Sequence, residues 1–83
     1  MYGVLNYLDV STRHITEATL NSNSIYKLAD YAEGAFFWVD EDLPPSLPKD
    51  LYEVFKFAKE KKCTIVRFDA DGFDHPELPS YDW

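Results

Sequence analysis

The spacing of apolar residues divides the chain into elements of two kinds. Ala35-Phe36-Phe37-Trp38-Val39 and Thr64-Ile65-Val66-Arg67-Phe68 are short runs rich in β-branched and aromatic residues, the pattern of strands. Between them, Leu51, Val54, Phe55 and Ala58 recur on one face of a helical wheel, with Glu53, Lys56 and Glu60 opposite, predicting an amphipathic helix over about residues 48–62. Pro48 suits its first turn and Lys59, Lys61 and Lys62 suit its negative end. Nearer the N-terminus, Val4 to Val10 reads as a strand broken by Ser11-Thr12, and Thr16 is placed to cap a short helix beginning at Glu17. Asn21-Ser22-Asn23-Ser24 reads as a turn.

Residues 24–34 support two readings. Ile25, Leu28, Ala29 and Ala32 fall at helical spacing, with Ser24 as cap and Gly34 as terminator, which favours a helix; the alternative is a hairpin strand turning at Glu33-Gly34. Pro44, Pro45 and Pro48 stiffen the connection before the long helix. The expected architecture is a single small α+β domain over residues 1–83, with a three-stranded mixed or parallel sheet. Within it, residues 35–69 form a right-handed β-α-β unit with parallel strands, and residues 72–83 form an extended tail carrying Pro76 and Pro79.

Composition changes this picture in one respect. Fourteen aromatic rings, six Tyr, six Phe and two Trp, exceed what one small core can hold, so some belong to the surface, where Tyr and Trp offer contact area at low rotamer cost. Fifteen acidic against eight basic residues give a net charge of −7, which argues against direct DNA or RNA binding and keeps an aromatic domain soluble. The single Cys63 excludes an internal disulfide and, at a helix-to-strand junction, reads as a small buried apolar residue. The N-terminal residues carry no basic and long apolar segment of the secretory kind, and no apolar run spans a bilayer, so the cytoplasm is the expected location.

Candidate chemistry gathers around acidic residues. If the strands run parallel, Asp9, Asp40 and Asp69 lie at their C-terminal ends with Asp71 and Asp74 close by, a set of oxygen donors suited to Mg²⁺, Mn²⁺ or Ca²⁺, to which His14 or His75 would add nitrogen. The competing reading makes these carboxylates turn residues, since Asp71-Gly72 is a favoured turn pair. Asp69-x-Asp71-Gly72 also resembles the first motif of haloacid-dehalogenase-type phosphatases over about six residues, without the hydroxyl residue that usually follows the glycine. A His14 that bonds a backbone carbonyl and fixes the strand-to-helix corner is the structural counterpart of a His14 acting as acid or base. Arg67, between Val66 and Phe68, is expected to pair with Asp69 or Asp9.

Three segments together carry a resemblance: Leu8-Asp9-Val10-Ser11-Thr12-Arg13-His14-Ile15-Thr16, Leu47-Pro48-Lys49-Asp50-Leu51, and Leu78-Pro79-Ser80-Tyr81-Asp82-Trp83. The chain resembles a group of small bacterial proteins of unknown function carried on phages, plasmids and genomic islands, with a Ser-Thr-x-His-Ile segment near the start and a Leu-Pro-x-Tyr-Asp-Trp segment at the end. The resemblance implies an accessory role in a mobile element and brings no catalytic residue with it. The expected function is a non-enzymatic, acidic protein-interaction module that binds a host or element-encoded protein, with Tyr81, Asp82 and Trp83 as candidate contacts and no cofactor. The aromatic load of so small a domain also fits a homodimer. The alternative is a metal-dependent hydrolase or phosphoryl-transfer enzyme using a divalent ion held by Asp9, Asp69, Asp71 and His14.

Overall fold

In a computed structural model, which describes residues 5–22 and 26–82, four strands and two α-helices follow one another along the chain. β1 (Tyr7–Ser11) leads through a turn of 3₁₀ helix, Thr12–His14, into α1 (Glu17–Leu20). β2 (Lys27–Tyr31) and β3 (Gly34–Trp38) form a hairpin, α2 (Lys49–Glu60) follows the proline-rich stretch, and β4 (Ile65–Asp69) closes the sheet. The strand order is β1-β4-β3-β2, with β1 parallel to β4 and the other neighbours antiparallel. The domain is thus a small α+β unit with one mixed sheet and one long helix, and the sheet has four strands where three were expected. The expected strand start at Val4, the Ser24 cap with Ile25, and Trp83 lie outside the described residues.

Two expectations are overturned. The helix favoured within residues 24–34 is absent from the described part of that segment, which is the alternative hairpin: Lys27–Tyr31 is β2, and the chain turns through Ala32-Glu33, pairing Tyr31 with Gly34. A bulge between Lys27 and Ala29 inserts an extra residue, so the period-two signature of a strand is broken and the apolar positions drift toward helical spacing. The expected parallel β-α-β unit over residues 35–69 also fails, because β3 and β4 are antiparallel, Trp38 facing Ile65 and Gly34 facing Asp69. The reason is the connector. The ten residues 39–48, stiffened by prolines, can reach up to about 33 Å, more than the roughly 18 Å rise of a twelve-residue helix. They carry the chain back along the sheet before α2 starts, so α2 returns it to the end where β3 left, and β4 descends antiparallel. Asp40, just after β3, consequently lies at the opposite end of the sheet from Asp69.

Local chemistry fixes the ends of both helices. Thr16 accepts a hydrogen bond from the Thr19 amide (3.3 Å) to cap α1, and its own amide donates to Asp50 Oδ2 (2.8 Å) in the first turn of α2, tying the two helix starts together. At the far end of α2 the Cys63 amide donates to Ala58 O (2.9 Å) and the Lys62 amide to Lys59 O (3.0 Å), a Schellman closure in which Lys62, at φ 60°, occupies the left-handed position usually given to glycine. Leu51, Val54, Phe55 and Ala58 pack onto Val10, Phe37, Val66 and Phe68, all at or within 1% of complete burial. Cys63 is partly buried against this core.

Candidate functional site

One helix of about three turns covers one face of a sheet, and α2 covers the face carrying Leu8, Val10, Ala35, Phe37, Val66 and Phe68. Strand alternation sends the intervening residues to the other face. The registers place them in cross-strand rows: Tyr7–Ile65–Trp38 at one end, then Asp9–Arg67–Phe36–Ala29, then the row that includes Asp69, Gly34 and Tyr31. Tyr7 is 56% exposed and Trp38 41%, whereas Phe37, beside Trp38 in the same strand, is fully buried. Aromatic and aliphatic side chains thus line one end of an open sheet face.

The other end of that face is charged and internally tied. Arg67 lies between two carboxylates, its Nε 3.3 Å from Asp9 Oδ1 and its Nη2 3.5 Å from Asp69 Oδ2. The Nε–Asp9 pair faces as two charges out of line for a hydrogen bond. Tyr31 reaches across Gly34, its hydroxyl donating to Asp69 Oδ2 (2.7 Å) and lying 3.0 Å from the Phe68 carbonyl oxygen, with its ring 5.3 Å from that of Phe36. A Cβ on residue 34 would be driven into that same carbonyl, so this close approach requires glycine. Burial and then the hydrogen bond to Asp69 push the Tyr31 hydroxyl up from 10.0 to about 12. The same hydrogen bond, followed by the Asp71 amide and the Arg67 charge, holds the Asp69 carboxyl below its ordinary range.

The Asp69-x-Asp71-Gly72 string is a turn in this structure. Asp69 Oδ1 accepts from the Asp71 amide (2.8 Å), and the Gly72 amide donates to Asp69 O (2.9 Å). Gly72 sits against the backbone of Val10 and Ser11, where a Cβ would collide with the Val10 carbonyl. Asp9 and Asp69 lie on the same face in neighbouring rows, Asp9 in the middle of β1 and Asp69 at the end of β4, and Arg67 stands between them where a cation would have to sit. His14 is 1% exposed, and both its ring nitrogens are taken: Nδ1 lies 2.8 Å from Pro79 O, and Nε2 accepts from the His75 amide (2.9 Å). Among the described residues no group of three or more His, Cys, Asp or Glu side chains is arranged to hold a metal ion.

The expected tail contacts lie elsewhere. Residues 72–82 run along the outer edge of β1, with Ser11 N–H donating to Phe73 O (2.9 Å), Tyr81 N–H to Arg13 O (2.8 Å), and Leu78 entering the core at 8% exposure. Tyr81 is half-buried and Asp82 exposed, while Trp83 is outside the described residues. A cleft of about 520 Å³ between α1 and the β2–β3 hairpin holds Lys27 and Asp30, which pair with each other at 3.1 Å.

Sequence reasoning did not single out Tyr7, Ile65 or Trp38, because apolar residues at successive positions of a strand do not record which face a helix will cover. The signal was available in the element count: one long helix covers one face, and the aromatic surplus must then line the other. Among the described residues no helix is long and apolar enough to cross a membrane. No curated protein and no solved structure matches the chain. Residues 7–83 match the model of the C-terminal domain of DUF5983, a family of unknown function, and the chain belongs to that family.

Proposed function

We propose that this domain is a non-enzymatic protein-interaction module and that the open face of its sheet, led by the Tyr7–Ile65–Trp38 row, is the binding surface. The observation that carries this reading is the exposure of Tyr7 and Trp38 on a face that no helix among the described residues covers, beside strands whose alternate residues are wholly buried. Aromatic side chains of this kind supply most of the binding energy in many protein interfaces.

The charge distribution supports a basic partner. Of the fifteen acidic and eight basic residues, Asp50, Glu53, Glu60 and five lysines fall within residues 49–62, leaving twelve acidic and three basic residues in the rest of the chain. Those three are already opposed by carboxylates: Arg67 by Asp9 and Asp69, Lys27 by Asp30, and Arg13 by Asp74 at 4.0 Å. A protein surface with apolar residues flanked by Lys or Arg complements such a face. Tyr81 and Asp82 take the smaller share, because the Tyr81 amide is bound to Arg13 O, past the end of β1 opposite Tyr7. The role in a mobile element, in the cytoplasm, rests on the sequence resemblance and the single cysteine.

The test is affinity purification from cells that naturally carry the gene, with the parent chain, a Tyr7→Ala/Trp38→Ala pair and a Tyr52→Ala control on α2. A partner held by the parent and by Tyr52→Ala, and weakened about thirtyfold or more by the paired change, is the expected result. Undiminished binding by a folded paired variant would overturn the assignment.

A further inference from the structure

Two of the bonds that hold the tail beside β1 are made by a histidine, in the 3₁₀ turn that follows the strand, that can make both only while uncharged. His14 Nε2 accepts a hydrogen bond from the His75 backbone amide (2.9 Å), a group that can only donate, so Nε2 carries no proton. Nδ1 then carries it and donates to Pro79 O (2.8 Å), a group that can only accept. The ring is 1% exposed and both bonds are direct. A second proton on Nε2 would set two N–H groups against each other and force the His75 amide away.

A replacement acceptor stands beside it. Asp74 Oδ1 lies 3.9 Å from His14 Nε2, and its other oxygen 4.0 Å from Arg13 Nη1. The carboxylates on the neighbouring elements are engaged elsewhere: Asp50 on α2 with Thr16, and Asp9 on β1 with Arg67 and the Phe73 amide. His75, 6.1 Å from His14, lies with Nε2 2.8 Å from the Asp9 carbonyl oxygen, a bond that a proton added at Nδ1 leaves intact.

We infer that residues 72–82 form an acid-released strap: protonation of His14 transfers its Nε2 from the His75 amide to the Asp74 carboxylate and loosens the tail from the outer edge of β1. The atoms balance, since the ring gains one proton from solvent and exchanges an accepted hydrogen bond for a donated one. Release uncovers the backbone of Asp9 and Ser11, which the tail now caps through His75 and Phe73, and turns a protected sheet edge into one open to strand pairing. This inference stands on the His14 geometry and not on the proposed binding face.

Amide hydrogen exchange on the full chain at about pH 7.5 and about pH 5 tests it, spanning the range where imidazoles take up a proton. Protection factors at Ser11, His75 and Tyr81 should fall about tenfold or more at the lower pH, with Phe37 and Val66 unchanged. His14→Gln, which keeps an acceptor for the His75 amide and does not titrate, should abolish the response, and His75→Gln should retain it. Unchanged protection in the parent, or a response that survives His14→Gln, would overturn the strap. Should His14→Gln fail to fold, the parent decides: the imidazole resonances of His14 must titrate with the same midpoint as the tail amides, and a midpoint shared with His75 or the carboxylates instead would refute the inference.

Discussion

The two faces of this sheet are built from the same strands, alternate residues of which meet opposite fates. Phe37 and Phe68 lie under α2 at 0% exposure, while Trp38, the next residue after Phe37, is 41% exposed and Tyr7, two strands away, 56%. Burial makes the first set the source of stability, and its absence leaves the second set free for contact with another molecule. Large aromatic residues therefore carry different meanings according to which side of the pleat they occupy.

The sharpest way to break this contrast is to truncate one residue from each face. Phe37→Ala removes a fully buried ring that meets Phe55 and Phe68 edge-on at 6.3 and 5.4 Å, and should cost about 3–5 kcal/mol. That is comparable to the whole stability expected of a domain this small, so the variant should be largely unfolded at room temperature. Trp38→Ala should cost no more than about 1 kcal/mol, the scale of a cross-strand pair. Urea denaturation followed by circular dichroism measures both, and equal losses would contradict the assignment of the faces.

Gly34→Ala comes next. It forces a methyl group against the Phe68 carbonyl where β3 meets β4, and a loss of about 1–3 kcal/mol is expected from the same measurement. A neutral result would mean that the strands can separate without disturbing Tyr31.

The Tyr31–Asp69 bond ties the charged end of the open face to pH. Because the Tyr31 hydroxyl is raised from 10.0 to about 12, its contribution is complete below pH 10 and is lost as pH rises toward 12. Asp69, held low, contributes above its ordinary value of 3.8 and loses that contribution as the solution is acidified through its folded-state value. Tyr31→Phe should cost about 1 kcal/mol near neutrality, a gap that closes at high pH, and phenolate absorbance should show one tyrosine titrating last. A parent in which all tyrosines titrate together near pH 10 would remove this bond from the account.

The smallest expected effect lies at the end of the covering helix and runs the other way. Lys62→Gly relieves a left-handed residue in the Schellman closure and should stabilise the chain by about 1 kcal/mol, read as a higher urea midpoint.

Much of the covered face was legible in the sequence, because its elements state their periods openly. α2 was expected at about 48–62 and spans Lys49–Glu60, and the runs at 35–39 and 64–68 became β3 and β4 within one residue. Thr16 capped α1 as its position suggested. Arg67 reaches both of the carboxylates named for it, and His14 bonds a backbone carbonyl at the corner it was expected to fix. Strand direction was not legible, since nothing in the residues of β3 or β4 records where an intervening loop carries the chain. The bulge hid β2 by disturbing its alternation. Asp69-x-Asp71-Gly72 misled for a related reason: an aspartate that closes a turn on its own backbone and one that presents its carboxylate to a ligand share the same local sequence. Arg67, two residues away, and the distant Tyr31 decide between them, and the proximity of Tyr31 emerges only from the fold.

Residue-resolved hydroxyl-radical footprinting of the chain, free and in a complex isolated from its own cells, tests the central claim most directly. Protection of Tyr7, Ile65 and Trp38 in the complex, with Tyr52 on α2 as reactive as in the free chain, is the expected result. Protection of Tyr52 or Tyr81 while Trp38 stays fully reactive would contradict the open sheet face as the binding surface.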